Sequence, residues 1–128
     1  MIVDTDIIIW YMRGNEKART VLMHHGNFSI SVITYMELVQ GMRNKQELGA
    51  LRRALHGWST KVIYLTEEIS SQALIYVETH FLSHSLRLAD ALIAATAVSC
   101  DLPLLTGNAK HYRVIKELKV KTFRLKAR

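Results

Sequence analysis

Five short apolar runs, each of strand length, alternate along this chain with longer stretches that carry helical patterning. That alternation constrains the fold more than any other feature. Strands separated by helices read as crossover units, and crossover units build a parallel sheet. The expected fold class is α/β, with a central parallel β-sheet flanked by α-helices. The runs are Ile2-Val3, Phe28-Ser29-Ile30, Val62-Ile63-Tyr64-Leu65, Pro103-Leu104-Leu105 and Thr122-Phe123-Arg124-Leu125.

Helix signals fill the intervals. Residues 6–13 read as a helix ended by Gly14. Asn15 is placed to cap a second, stopped near His25 by Gly26. Ser31 caps a third, running to about Met42, with Val32, Met36 and Val39 on one apolar stripe. Asn44 caps a fourth to about Trp58, and Thr66 a fifth to about Leu82. A sixth runs from Arg87 to about Ser99. No linker, repeat or low-complexity tract interrupts the 128 residues, so residues 1–128 read as a single domain.

An apolar content of 49% and a mean hydropathy of +0.07 suit a packed globule and exclude a disordered chain. No apolar run is long enough to span a bilayer, so no membrane association is expected. An acid stands at the fourth residue, where a signal peptide would carry positive charge. A lone cysteine, Cys100, permits no internal disulfide and reads as a small hydrophobe near a helix end. These features agree with a cytoplasmic protein. The net charge of +6 is uneven. Residues 110–128 carry eight Lys or Arg against one acid, Glu117, and the rest of the chain is close to neutral. A basic segment on a neutral body suits a polyanionic partner, or else a solvated surface.

In parallel sheets, ligands bind at the carboxyl ends of strands. Two places therefore carry weight: Asp4-Thr5-Asp6 and Thr106-Gly107-Asn108. A carboxylate at the end of a central strand must be capped, paired or bound to a cation. For Asp6 a helix cap is the simpler reading, while Asp4 is read as a site residue. Glu37 lies in a strongly apolar stretch, among Ile33, Met36, Leu38 and Val39, and gains significance in company. Asp90 shares a helical face with Ala94 and Ala97. Small residues let that face press on a sheet, so a carboxylate there needs a cation or a hydrogen-bond network. The simpler alternative is an ion pair with Arg87 at i−3. Oxygen-only ligands select hard cations such as Mg²⁺ or Mn²⁺. The histidines, His24, His25, His56, His80, His84 and His111, form no zinc motif and read mostly as surface or packing residues.

Four motifs in order complete the pattern: Ile2-Val3-Asp4-Thr5-Asp6; Ser31-Val32-Ile33-Thr34-Tyr35-Met36-Glu37-Leu38 with Gly41; Leu88-Ala89-Asp90-Ala91-Leu92-Ile93-Ala94-Ala95-Thr96-Ala97; and Leu105-Thr106-Gly107-Asn108 followed by Lys110-His111-Tyr112. Across essentially the whole chain this order resembles the PIN domain, in particular the VapC-type toxins of bacterial toxin–antitoxin pairs. The resemblance implies a metal-dependent endoribonuclease that usually dimerises and is held inactive by an antitoxin protein. It implies Asp4, Glu37 and Asp90 as the acidic cluster, with Asp4 and Asp90 as direct metal ligands and Glu37 handling the water. Thr106 and Asn108 become the polar edge, and Thr5 and Asp6 supporting polar groups. Arg87, Lys110, His111 and Arg113 are candidates for contact with an RNA substrate, tRNA included. The chain departs from the family where many members carry a fourth acid, for it has Asn108 and His111 there. That puts a tightly held second metal in doubt.

Two other readings use the same residues. A strand followed by DxD also opens haloacid-dehalogenase-type phosphatases, with Asp4 as nucleophile. The later Lys and paired acids of that chemistry are missing. A non-catalytic RNA-binding module would suit the basic segment, but no interleaved aromatics suggest base stacking.

Overall fold

A computed structural model describes residues 1–83 and 85–125. His84 and the last three residues of the basic segment lie outside them. The elements run β1 (Ile2–Val3), α1 (Thr5–Met12), α2 (Glu16–His24), β2 (Ser29–Ser31), α3 (Val32–Gln40), α4 (Lys45–Gly57), β3 (Lys61–Ile63), α5 (Glu67–His80), α6 (Leu88–Ser99), β4 (Leu104–Thr106), α7 (Ala109–Tyr112) and β5 (Val120–Thr122). The strands form one sheet in the order β3-β2-β1-β4-β5, and every neighbouring pair is parallel.

The expected fold class therefore holds. The chain winds outward from β1 through β2 to β3, then crosses back and continues through β4 to β5. Strand order reverses between β1 and β4. Chain leaves the sheet in opposite directions there, which opens a crevice at the strand ends.

Alternation along each strand sends side chains to opposite layers. Ile2 and Leu104 join a core with Ile69, Ala73, Tyr76 and the α6 residues Ala91, Ile93, Ala94, Ala95 and Ala97. Val3 and Leu105 join the other core, with Ile7, Ile8, Leu22, Leu38, Leu51 and Leu55. The alanines of α6 are buried in this core, which α5 shares. Both edge strands carry an exposed lysine, Lys61 and Lys121. Charge on an edge discourages pairing with a second sheet.

Most helix starts follow from local chemistry. Asn15, Ser31, Asn44 and Thr66 each accept a hydrogen bond from a first-turn N–H, at 2.8, 3.0, 2.8 and 3.1 Å. A cap of this kind contributes about 1 kcal/mol. Gly14, at φ +86°, supplies the left-handed turn after α1. After α2 the left-handed residue is Asn27 rather than Gly26.

Three expectations are corrected, and one element was unforeseen. The last strand is Val120–Thr122, not 122–125, because pairing with Leu104–Thr106 sets its register. The short helix α7 escaped notice, since four residues carry too little periodicity to read. The stripe Val32, Met36, Val39 is not the core face of α3. Met36 is 56% exposed and Val39 38%, while Thr34 and Leu38 are buried. Cys100 caps the end of α6 but is exposed.

Candidate active site at the switch between β1 and β4

Asp4 follows β1, and its backbone N–H donates to the Leu105 carbonyl at 2.9 Å. This extends the β1–β4 ladder by one residue and sets Asp4 beside Thr106. The Asp4 side chain caps α1, with Oδ1 accepting from the Thr5 N–H at 2.8 Å. Its Oδ2 accepts from the Thr106 hydroxyl at 2.7 Å and from the Tyr112 hydroxyl at 3.0 Å. Asp4 is only 5% exposed. Burial pushes its carboxyl above the usual range, the three donors pull it back, and the charge of Asp90 adds to the rise.

Asp90 lies in the first turn of α6, half-buried. Its Oδ1 is 3.3 Å from the Tyr112 hydroxyl, and its Oδ2 accepts from the Arg87 backbone N–H at 3.1 Å. The alternative of an Arg87 ion pair is thus corrected. Arg87 meets Asp90 through its backbone, and its exposed side chain forms no ion pair among the described residues. The nearest cationisable group is His111, with Nδ1 at 4.0 Å from Asp90 Oδ2. Burial and the charges of Asp4 and Asp90 hold the Tyr112 hydroxyl far above its ordinary pKa, so it remains a proton donor.

Glu37 reaches the same region through Thr5. The Thr5 hydroxyl donates to Glu37 Oε1 at 2.7 Å and lies 3.0 Å from the Thr34 hydroxyl. Glu37 is half-buried on α3. Three acids far apart in sequence are therefore linked through two residues: the Tyr112 hydroxyl stands between Asp4 and Asp90, and Thr5 meets Asp4 through its backbone N–H and Glu37 through its hydroxyl.

Asp6 corrects its expected role. Because α1 begins at Thr5, Asp4 is the cap and Asp6 sits inside the first turn. Its Oδ2 reaches across to the Gly107 N–H at 2.9 Å and to Asn108 Nδ2 at 3.2 Å. Its Oδ1 is buried without a partner. Burial, then the charge of Asp4, raises its carboxyl to about 7. Glycine at 107 allows this contact, since a Cβ would stand 2.6 Å from Asp6 Oδ2 and force the carboxylate to move. Asn108 is exposed, and its amide nitrogen is engaged by Asp6, while its Oδ1 has no hydrogen-bond partner among the described residues. Lys110 and Arg113 are exposed beside it on and after α7.

Sequence reasoning missed Tyr112 and Thr34. Tyr112 stands inside the fourth motif, but nothing in its spacing announced that its hydroxyl would meet two carboxylates.

Two carboxylates share one phenol, and no lysine or arginine side chain pairs with either among the described residues. That donor set, all oxygen and uncompensated in charge, fits a hard divalent cation. As they stand, no three His, Cys, Asp or Glu side chains among the described residues are gathered closely enough to enclose an ion by themselves. Two carboxylates with water completing the shell is the usual manner for Mg²⁺.

Residues 1–117 match the PIN domain. This chain belongs to the PIN domain family. A relative named Ribonuclease VapC10, from Mycobacterium tuberculosis, is 35% identical over 93% of this chain and 90% of its own length. Among solved structures, a toxin–antitoxin complex from Klebsiella pneumoniae superposes with a TM-score of 0.79 at 29% identity, covering 94% of this chain and 95% of that one. VapBC-1 from nontypeable Haemophilus influenzae gives 0.77 at 27%, over 94% and 96%. The PIN fold and the parallel sheet read from the sequence agree with these similarities. No helix of the described residues is long and apolar enough to cross a membrane.

Proposed function

We propose that this PIN domain is an endoribonuclease dependent on Mg²⁺ or Mn²⁺, the toxin of a toxin–antitoxin pair. The observation that carries the chemistry is the Asp4–Tyr112–Asp90 arrangement at the switch point. The ribonuclease relative at 35% identity supports the substrate class, and the Klebsiella complex supports a cognate antitoxin as partner. Asp4 and Asp90 would hold the cation. When bound, it supplies Lewis acidity to the scissile phosphate and lowers the pKa of a water.

The remaining roles belong to the protein. Glu37, fixed at Oε1 by Thr5, keeps Oε2 to orient the attacking water and take its proton. In-line attack on phosphorus breaks the bond to the 3′ oxygen, leaving a 5′-phosphate and a 3′-hydroxyl. Thr106 holds Asp4, and Asn108 presents Oδ1 at the rim. Arg87, Lys110 and Arg113 are exposed and steer the RNA backbone, and His111 stands beside Asp90 to contact phosphate. Single-stranded or loop RNA, as in tRNA, is the reading we favour, because its backbone is accessible. A homodimer in the cytoplasm completes the proposal.

The test is incubation of the purified chain with total RNA and Mn²⁺ or Mg²⁺. Discrete cuts that vanish with EDTA, and in a folded Asp90→Asn variant, are expected. Undiminished cutting by Asp90→Asn would remove Asp90 from the site. RNA bound but never cut, under either metal, would make the chain a binding module.

A further inference from the structure

Tyr112 is the least expected member of the site. It is fully buried, it belongs to a four-residue helix, and among the described residues its hydroxyl is the one group touching both Asp4 and Asp90. Counting lone pairs shows what it does. An ionised carboxylate offers about four acceptor positions, two on each oxygen. On Asp4, Oδ2 receives both the Thr106 and the Tyr112 hydroxyls, so its positions are filled. Oδ1 receives only the Thr5 N–H. One position therefore remains, and it is on Oδ1. The Thr106 donor cannot turn elsewhere easily, because its oxygen also accepts the Asn108 N–H at 3.0 Å.

Tyr112 has a single proton and two acceptors. The shorter contact is to Asp4 Oδ2, at 3.0 against 3.3 Å. Given to Asp4, the proton leaves Asp90 Oδ1 facing the phenol oxygen without a donor. A cation beside Asp90 relieves that. The ring is anchored in the α6-side core, so the hydroxyl is a fixed point to which both carboxylates are referenced.

We propose that Tyr112 is the positioning residue of the cation site, directing Asp4 to ligate through Oδ1 and holding Asp90 within reach of the same ion. The inference rests on the metal-dependent reading above. It assigns a function to a residue that does not itself ligate. Groups of this kind set ligand orientation, and their loss costs roughly 10–100-fold in metal affinity or activity.

Tyr112→Phe removes the hydroxyl and keeps the ring. Mn²⁺ binding is measured by calorimetry and by electron paramagnetic resonance, on full-length wild type and variant, with circular dichroism in EDTA as the check on folding. The expected result is a 10–100-fold weaker Mn²⁺ affinity, with cleavage recovered as Mn²⁺ is raised by a similar factor. A merely structural tyrosine would not give recovery by metal. Equal or tighter Mn²⁺ binding by the folded variant would overturn the assignment while leaving the metal-dependent reading intact. Failure of the wild type to bind Mn²⁺ at all would overturn both. If the variant does not fold, the wild type is labelled at the ring carbon bearing the hydroxyl of its five tyrosines and titrated with Mg²⁺. Saturating movement of the Tyr112 signal, told from that of the other buried tyrosine by comparison with Tyr76→Phe, supports the assignment, and no movement of it refutes it.

Discussion

Gly107→Ala is the sharpest structural test of how the site is held. The added Cβ would lie 2.6 Å from Asp6 Oδ2 but 3.7 Å from the Phe123 carbonyl, which is ordinary contact. Asp6 can rotate to relieve the overlap, so repulsion itself is not the cost. The cost is what Asp6 abandons: hydrogen bonds from the Gly107 N–H at 2.9 Å and from Asn108 Nδ2 at 3.2 Å. With Oδ1 already lacking a partner, the carboxyl would be left with neither bond. Two such bonds, in a partly solvated position, amount to about 1–3 kcal/mol. In an Asp6→Ala background the obstacle is gone, and the same glycine substitution should cost close to nothing. Urea unfolding of wild type, both single variants and the double variant measures the coupling directly. Equal cost of Gly107→Ala in both backgrounds would refute the clamp.

Thr5→Val keeps the shape of a buried side chain and removes the hydroxyl between Glu37 and Thr34. Single-turnover cleavage should fall by roughly 10-fold or more with the fold retained, and an unchanged rate would remove Thr5 from the positioning of Glu37. Asp6 also makes stability depend on pH. Its folded pKa of about 7 lies above the ordinary carboxyl value, so between about 4 and 7 the folded state keeps a proton that the unfolded state has lost. Stability of the protein in EDTA should therefore fall as pH rises through that window, with Asp6 contributing at most about 1.4 kcal/mol per unit. The buried Asp4 acts in the same direction. Asp6→Asn should flatten the slope, and a wild-type curve that rises through the window would contradict the assignment.

Much of this protein was decided locally, and was therefore legible in the sequence. The caps Asn15, Ser31, Asn44 and Thr66 act within three residues of themselves. Strand alternation and the alanines of α6 follow from periods that any stretch of chain displays. The order of the four motifs named the family, and it brought Asp4, Glu37 and Asp90 under suspicion together. The tertiary structure decided how those acids are connected. Asp4 meets Tyr112 across 108 positions, and Asp6 meets Gly107 across 101. Neither contact has a periodic signature, because it depends on β1 and β4 lying side by side after three intervening helical crossovers have closed. Asp6 looked like a cap for the same reason, since its real partner is distant in sequence. Met36 and Val39 looked like core because an apolar stripe says which residues share a face, and only the packing of α3 says which face is turned inward. Composition and spacing chose the fold and the chemistry, while the register of one parallel strand pair chose the atoms that hold the site.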